Sequence, residues 1–224
     1  MANNAKELLS KILDDMAQTK YIPINDFPNI DLYMDQVTTF MNHRLSDSKR
    51  YEDDKILTKT MINNYAKNQL LPAPDKKKYS REHLLTLIFI YYFKNLLSIN
   101  DIQKLLNPVL EKYFKPNERY DLSDIYDEIF KLEGKQSPVI QEDIWNKYEM
   151  CQSAFEGVSE KEREFLRQFA LICELSFDVY YKKLLVERMI DSLEVPKVLQ
   201  KESKKEPKKE PKKEERKDEK KKSK

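Results

Sequence analysis

Glycine is almost absent from this chain. Only Gly134 and Gly157 occur among 224 residues, where an average composition would give roughly fifteen. Loops that cradle phosphates need glycine so that the backbone can approach the ligand, and nucleotide-binding folds of the P-loop and dinucleotide types are therefore nearly excluded. The shortage also favours helices over tight hairpins, because helices need few residues with positive φ.

Cysteine and histidine are equally scarce, with two of each. Cys151 and Cys173 lie far apart along the chain with no histidine near them, so the sequence offers no metal-ligand set. We interpret both as small hydrophobic residues on helices in a reducing compartment. Neither His43 nor His83 accompanies a recognisable nucleophile, and the carboxylates lie on charged helix faces. We therefore predict no metal, no cofactor and no enzymatic activity.

Long hydrophobic runs are missing too. The longest candidate, residues 84–97, contains Lys94 and falls short of the ~20 apolar residues that span a bilayer. No N-terminal segment combines a basic start with an apolar run of signal-peptide length. The sequence predicts a soluble cytoplasmic protein with no membrane contact.

Charge is abundant but segregated along the chain. The net charge of +2 combines −4 in residues 1–54, +6 in residues 55–110, −7 in residues 111–196 and +7 in residues 197–224. The basic charge of the folded part is therefore concentrated in one stretch, as binding of an acidic partner requires.

Helical periodicity dominates and predicts an all-α fold. We expect an N-terminal helix and connector (1–31), a winged helix-turn-helix-like domain (32–115), a C-terminal helical region (116–196) and a disordered tail rich in lysine and glutamate (197–224). The tail has almost no apolar residue to offset its ordering entropy. We interpret it as solubilising, because its glutamates weaken any attraction to nucleic acid or anionic lipid.

Capping residues and prolines set the expected helix boundaries. Side chains suited to N-cap positions precede five predicted helices: Thr58, Ser80, Ser98, Ser137 and Ser159. Asn107 and Pro108 predict a break and the start of a separate short helix. The helix before Gly157 is expected to end near Phe155. The last helix, with Ser159 and Glu162 as a capping box, is expected to run to about residue 193.

The candidate functional residues belong to one predicted helix and the segment after it. Residues 59–68 place their apolar side chains on one face, and the opposite face carries Lys59, Thr60, Asn63, Asn64 and Lys67. Such a face can contact base edges and phosphates, and it can equally be an ordinary solvated surface. The next segment adds a basic cluster: Lys76, Lys77, Lys78, Tyr79 and Arg81.

These residues resemble the DNA-binding domain of the MerR family of bacterial regulators. The segment M-I-N-N-Y-A-K-N-Q-L-L, 61–71, is similar to the family's recognition helix, T-I-R-Y-Y-E-x-x-G-L-L. The segment K-K-Y-S-R-E-H-L, 77–84, is similar to its wing, R-R-Y-S-x-x-D-L, and L-S-I-N-D-I-Q-K-L-L, 97–106, to its F-S-L-x-E-I-x-x-L-L. The family's arginine, glutamate and glycine fall on Asn63, Ala66 and Gln69, so contacts made by those residues do not transfer. The resemblance implies a helix-turn-helix followed by a basic wing and two helices.

Beyond Leu106 that resemblance stops. The whole chain resembles an uncharacterised family of small proteins from low-GC Gram-positive bacteria, described as a domain of unknown function. This second resemblance implies a cytoplasmic bacterial protein and supplies no activity.

The last predicted helix carries an apolar seam with spacings of three and four residues: Leu166, Phe169 or Ala170, Cys173, Phe177, Tyr180 and Leu184. Two interpretations are open: packing against the preceding helices, which we favour because Phe165, Ile172 and Leu185 broaden the stripe, and self-association as a homodimer.

Two functions are weighed for the whole chain. The first is a DNA-binding transcriptional regulator that contacts double-stranded DNA through the ten candidate residues named above. The alternative is a non-enzymatic helical adaptor that binds proteins, and it rests on the acidic C-terminal helices and their apolar seam.

Overall fold

A computed structural model describes residues 2–18, 21–115 and 119–194. The described part contains eight α-helices: α1 (Ala2–Gln18), α2 (Met34–Arg44), α3 (Lys59–Lys67), α4 (Arg81–Phe93), α5 (Ile99–Tyr113), α6 (Leu122–Glu133), α7 (Ser137–Gln152) and α8 (Glu160–Asp191). Two short strands, β1 (Leu32–Tyr33) and β2 (Lys78–Tyr79), pair in antiparallel fashion. The predicted all-α class is confirmed.

Helix α4 is the centre of the core. Nine consecutive residues, from His83 to Tyr91, are buried, as its nearly continuous apolar sequence predicts. The core around it extends from Ile22 to Phe130 and includes Ile190 of α8. It therefore reaches beyond residues 32–115 at both ends.

The segment before β1 is part of this core. The side chain of Phe27 is 2% exposed and packs edge-on against Tyr126 of α6, with ring centroids 5.3 Å apart. The Tyr126 hydroxyl donates a hydrogen bond of 2.9 Å to the carbonyl of Ile22. Burial raises the pKa of Tyr126 strongly, so its hydroxyl keeps the proton that it donates.

A long loop, residues 45–58, joins α2 to α3 and is fastened at both ends. Near its start, Ser48 and Tyr91 share a hydrogen bond of 2.5 Å. Near its end, Ile56 and Leu57 are buried, and Lys94 donates to the Ile56 carbonyl at 2.8 Å. The exposed middle of the loop can therefore vary while the start of α3 stays in place.

The predicted break at Asn107 and Pro108 is wrong, because α5 continues through the proline. Pro108 lacks the amide that would bond to the carbonyl four residues earlier. The helix stays intact because its buried face, formed by Ile102, Leu106 and Leu110, continues on both sides of the proline.

Three other boundaries differ slightly from expectation. The sequence predicts that the second helix starts at Leu32 or Tyr33, but α2 begins at Met34 because Leu32 and Tyr33 form β1 and pair with β2. Gln136 occupies the N-cap of α7, so Ser137 already lies inside that helix, which ends at Gln152. The capping box predicted at the start of α8 is incomplete. The Ser159 hydroxyl donates to Glu162 at 2.5 Å and caps no backbone amide.

Helices α1, α7 and α8 lie outside the main core apart from Ile190. Helix α8 packs against α7 and, near its C-terminal end, against α5. The predicted seam is divided: Leu166, Ala170, Cys173 and Leu184 are half-buried, whereas Phe169, Phe177 and Tyr180 are exposed. Packing within the chain thus covers part of the seam. The tail prediction falls on residues 197–224, which lie outside the described residues.

Candidate nucleic-acid interface

The orientation of α3 is set by its cap and its apolar side. The Thr58 hydroxyl accepts a hydrogen bond of 3.2 Å from the Met61 amide, as the sequence predicts. Ile62 is completely buried, and Met61 and Tyr65 are half-buried. All five side chains predicted for the polar face are exposed: Lys59, Thr60, Asn63, Asn64 and Lys67.

One of these side chains already has an acidic partner. The Lys59 ammonium forms an ion pair with Asp35 of α2, a contact that the sequence did not predict. Both side chains are more than half exposed, so the pair contributes little to stability and can open. Asp35 would therefore compete with a phosphate for Lys59.

Helix α3 ends in a Schellman motif. The Leu70 amide donates to the Tyr65 carbonyl at 2.9 Å, and the Gln69 amide donates to the Ala66 carbonyl at 3.2 Å. This geometry places Gln69 at φ 57°, a left-handed conformation that glycine adopts most easily. A glutamine at this position is therefore held in a conformation that costs free energy for a residue with a Cβ atom.

Replacing Gln69 with glycine should therefore stabilise the protein. We expect Gln69→Gly to raise the free energy of unfolding by about 1 kcal/mol, because it removes left-handed strain from a residue with a Cβ atom. Urea unfolding would measure the change. Asn68→Gly is the matched control because Asn68 has φ −88° and carries no such strain. A loss of stability in Gln69→Gly would contradict the prediction.

The predicted wing is a tight turn of four residues, Asp75 to Lys78, which we call the lysine turn. The Lys78 amide donates to the Asp75 carbonyl at 2.8 Å. The two central residues, Lys76 and Lys77, have φ of 46° and 66°. Such turns strongly prefer Asn-Gly, and the left-handed conformation costs roughly 1–2 kcal/mol for each residue with a Cβ atom. Both lysines are exposed, so this strained backbone holds two cations at the surface.

The other members of the predicted basic cluster are less accessible. Lys78 is half-buried, and its ammonium lies 5.4 Å from the ring centroid of Tyr33. Tyr79 is only 4% exposed, because it pairs with Leu32 in the two-stranded sheet. Arg81 is half-buried and donates to the carbonyl of Ile24. Burial of Tyr79 and the hydrogen bond from Arg81 to Ile24 commit both side chains to contacts within the domain and leave little of either one for a phosphate.

A shallow cavity of about 460 Å³ lies beside Arg81. Its charged lining residues are Asp31, Arg81, Glu82 and Lys115. Two positive and two negative groups give this cavity no net preference for an ion of either sign.

His83 connects the segment after the lysine turn to the core. It is 4% exposed, and its Nδ1 accepts a hydrogen bond of 3.0 Å from the Ser80 amide. Its ring meets Tyr79 and Phe114 edge-on, with centroids 5.4 Å and 4.8 Å away. Burial lowers the pKa of His83, and this effect outweighs the nearby backbone of Ala73 and the Glu82 carboxylate, which raise it.

This buried histidine should make the domain sensitive to acid. The pKa of His83 is lower in the folded state than in the unfolded chain. Above about pH 6.5 the side chain is mostly neutral in both states, so it does not reduce the stability there. Stability should fall as the pH drops from there through the folded-state pKa. We expect His83→Gln to flatten the dependence of Tm on pH between about pH 7.5 and pH 5.

The exposed His43 provides the matched control for this experiment. His43→Gln replaces a histidine whose side chain is exposed, so it controls for the loss of one histidine from the chain. An identical pH slope in His83→Gln and wild type would contradict the role given to His83. The comparison uses slopes, so a loss of packing in His83→Gln does not obscure it.

The described residues show neither a metal-ligand cluster nor a membrane-spanning helix. No group of three or more histidine, cysteine, aspartate or glutamate side chains is arranged there to bind a metal ion. Among the described helices, none combines the length and the apolar character needed to cross a bilayer.

Comparison with known proteins finds a similarity over the central part of the chain. Residues 22–129 match the family model described as "Domain of unknown function (DUF1836)". This range begins with the first core residue, Ile22, and ends one residue before the last core residue of α6, Phe130. No curated protein and no solved structure matches the chain.

Proposed function

We propose that this protein is a non-enzymatic DNA-binding regulator of transcription that contacts double-stranded DNA through α3 and the lysine turn. The observation that supports it best is the division of α3. Ile62 is completely buried, while the five polar side chains opposite are all exposed. The helix thus presents lysine, threonine and asparagine groups on one continuous surface.

The size and chemistry of α3 suit the major groove. Its nine residues make a helix roughly 14 Å long, and the groove is about 12 Å wide and admits a single helix. The amides of Asn63 and Asn64 can donate to and accept from adenine. Lys59 and Lys67 can contact phosphates on either side.

The lysine turn supplies a second contact with the DNA backbone. Lys76 and Lys77 are exposed, and their backbone is fixed by the turn and by the pairing of β1 with β2. A fixed backbone lowers the entropy lost when the side chains bind phosphate. Helix α2 contacts both α3 and β2, so the two contact regions share one rigid support.

The order of elements also supports the MerR-like interpretation. Helices α2 and α3, the lysine turn, and then α4 and α5 follow one another as the resemblance implies. The departures are the long loop of residues 45–58 and the residues Asn63, Ala66 and Gln69 in place of the family's arginine, glutamate and glycine. Base recognition in this chain would therefore depend on asparagine and threonine.

An adaptor that binds proteins is the second candidate. It is favoured by the exposed apolar side chains of α8, among them Phe165, Phe169 and Tyr181, because large exposed apolar patches often mark protein interfaces. This surface lies outside the domain that carries α3, so the two functions are separable by experiment.

A mobility-shift assay tests the proposal. The full chain would be mixed with double-stranded genomic fragments at about 50 mM and about 200 mM salt. Retention at the lower salt that weakens steeply at the higher salt is expected, because lysine–phosphate contacts release counterions. An absence of retention at the lower salt would contradict the proposal and favour the adaptor.

A further inference from the structure

The three helices outside the main core leave many apolar side chains exposed. Among the side chains of these helices that the structure describes, three are buried away from the main core: Leu13, Tyr148 and Cys151. By contrast, α8 alone exposes these large apolar side chains: Phe165, Phe169, Ile172, Phe177, Val179, Tyr180, Tyr181, Leu185, Val186 and Met189. Helix α1 adds Leu8, Ile12 and Met16, and α7 adds Val139, Ile140 and Met150. This unit buries little of its own apolar surface.

Part of the exposed surface is a regular stripe along the N-terminal two thirds of α8. We call Phe165, Phe169, Ile172, Val179 and Tyr180 the α8 stripe. At 100° per residue they fall within an arc of roughly 100°, and Phe165 and Phe169 stack with centroids 6.5 Å apart. The half-buried Leu166, Ala170 and Cys173 are centred roughly a quarter of a turn away. The stripe therefore adjoins the packed face of α8, and packing within the described chain leaves it exposed.

The spacing of the stripe suits another helix. The steps from Phe165 to Phe169, Ile172, Ser176 and Val179 are four, three, four and three residues, the repeat that packs against a partner helix in a coiled coil. Ser176 occupies the one polar position and is exposed. A small polar side chain at one position does not prevent such packing, and it favours a defined register.

The exposed area is of the size that a dimer needs. Each stripe residue is between 53% and 68% exposed, which leaves on the order of 100 Å² of apolar surface per side chain. Five of them expose about 500 Å², and a helix seated there would also cover flanking side chains, reaching the ~800 Å² per partner of a standard interface. On a monomer, a patch of this size is at the upper end of what is usual.

The tail of the same chain does not have the composition to cover this stripe. Residues 201–224 are lysine, arginine, glutamate, aspartate, serine and proline only. Residues 111–196, in contrast, carry a net charge of −7. Two copies of this region repel each other electrostatically, so contact between them has to come from apolar burial.

We propose that the α8 stripe is a homodimer interface at which a second copy of this chain packs its own α8. The proposal does not depend on DNA binding, since the stripe shares no residue with α3 or the lysine turn. Dimerisation that is driven by apolar burial and opposed by like charge strengthens when salt is added. DNA binding by lysines shows the opposite response.

Sedimentation equilibrium of the full chain between about 1 and 100 μM tests the proposal. Wild type should have twice the chain mass of 26.9 kDa at the higher concentrations. Phe169→Glu with Ile172→Glu should raise the dimer Kd at least about 100-fold, because two charges per chain would be buried in an apolar contact. Far-ultraviolet circular dichroism of the same variant checks that its helices remain folded.

Tyr181→Glu is the matched control, because Tyr181 is 73% exposed on α8 but lies on roughly the opposite side from Ile172. This variant should dimerise like wild type. Three results would overturn the proposal: a monomeric wild type at 100 μM, an undiminished dimer in Phe169→Glu with Ile172→Glu, or an equal loss in Tyr181→Glu. A monomeric wild type would assign the stripe to a different partner protein.

Discussion

Replacing Lys76 and Lys77 by glutamate is expected to weaken retention of double-stranded DNA at least about 100-fold. The double substitution changes the charge of the lysine turn by four units and places carboxylates where phosphates would lie. Both side chains are exposed and neither supports the core, so folding should be unaffected. Fluorescence anisotropy of a labelled duplex at fixed salt would measure the loss of affinity.

A charge-matched variant separates a local contact from an effect of net charge. Lys135 and Lys182 are both exposed and lie outside the proposed interface. Lys135→Glu with Lys182→Glu makes the same change in net charge and should leave DNA affinity within a few-fold of wild type. Equal losses in the two variants would rule out the lysine turn as a specific contact.

Converting the lysine turn to Asn-Gly should change stability and DNA binding in opposite directions. Lys76 and Lys77 are held at positive φ, and Asn-Gly is the preferred pair for such a turn. We expect Lys76→Asn with Lys77→Gly to raise the free energy of unfolding by about 1–2 kcal/mol. The same change should weaken DNA affinity by about 10-fold and lower the slope of log K against log salt by about 2, because two phosphate contacts are lost.

The two measurements are urea unfolding and a salt titration of DNA binding. If the strained turn is retained because its lysines bind DNA, relieving the strain should raise the stability and weaken the DNA affinity. Loss of stability would show that the turn does not have the strained geometry described here. Greater stability with unchanged affinity would show that the lysines contact no DNA.

Local signals in the sequence predicted most of the helices. The hydroxyls of Thr58 and Ser98 cap α3 and α5 by accepting hydrogen bonds from backbone amides. Both caps were predictable, because each is a polar side chain just before a segment with helical apolar periodicity. The central position of α4 followed from its continuous apolar run. Pro108 misled the prediction because its local preference was outweighed by burial of the same helix face on both sides.

The candidate site was predictable only in part. The exposed side of α3 followed from its periodicity, since Ile62 had to face the core. The burial of Tyr79 could not be predicted from periodicity. It depends on pairing between Leu32 and Tyr79, which lie far apart in the chain. The turn was hidden for another reason. A chain with two glycines gives no sign that lysines will adopt the left-handed conformation.

Residues 21–31 determine how the protein can be divided. They resemble a connector in sequence, but they supply the carbonyls of Ile22 and Ile24 that accept from Tyr126 and Arg81, together with the buried ring of Phe27. A fragment that begins at residue 32 would leave those donors unpaired, at a cost of about 1–3 kcal/mol each. Limited proteolysis of the intact chain should therefore leave a resistant fragment that begins close to residue 21 and includes all of α6.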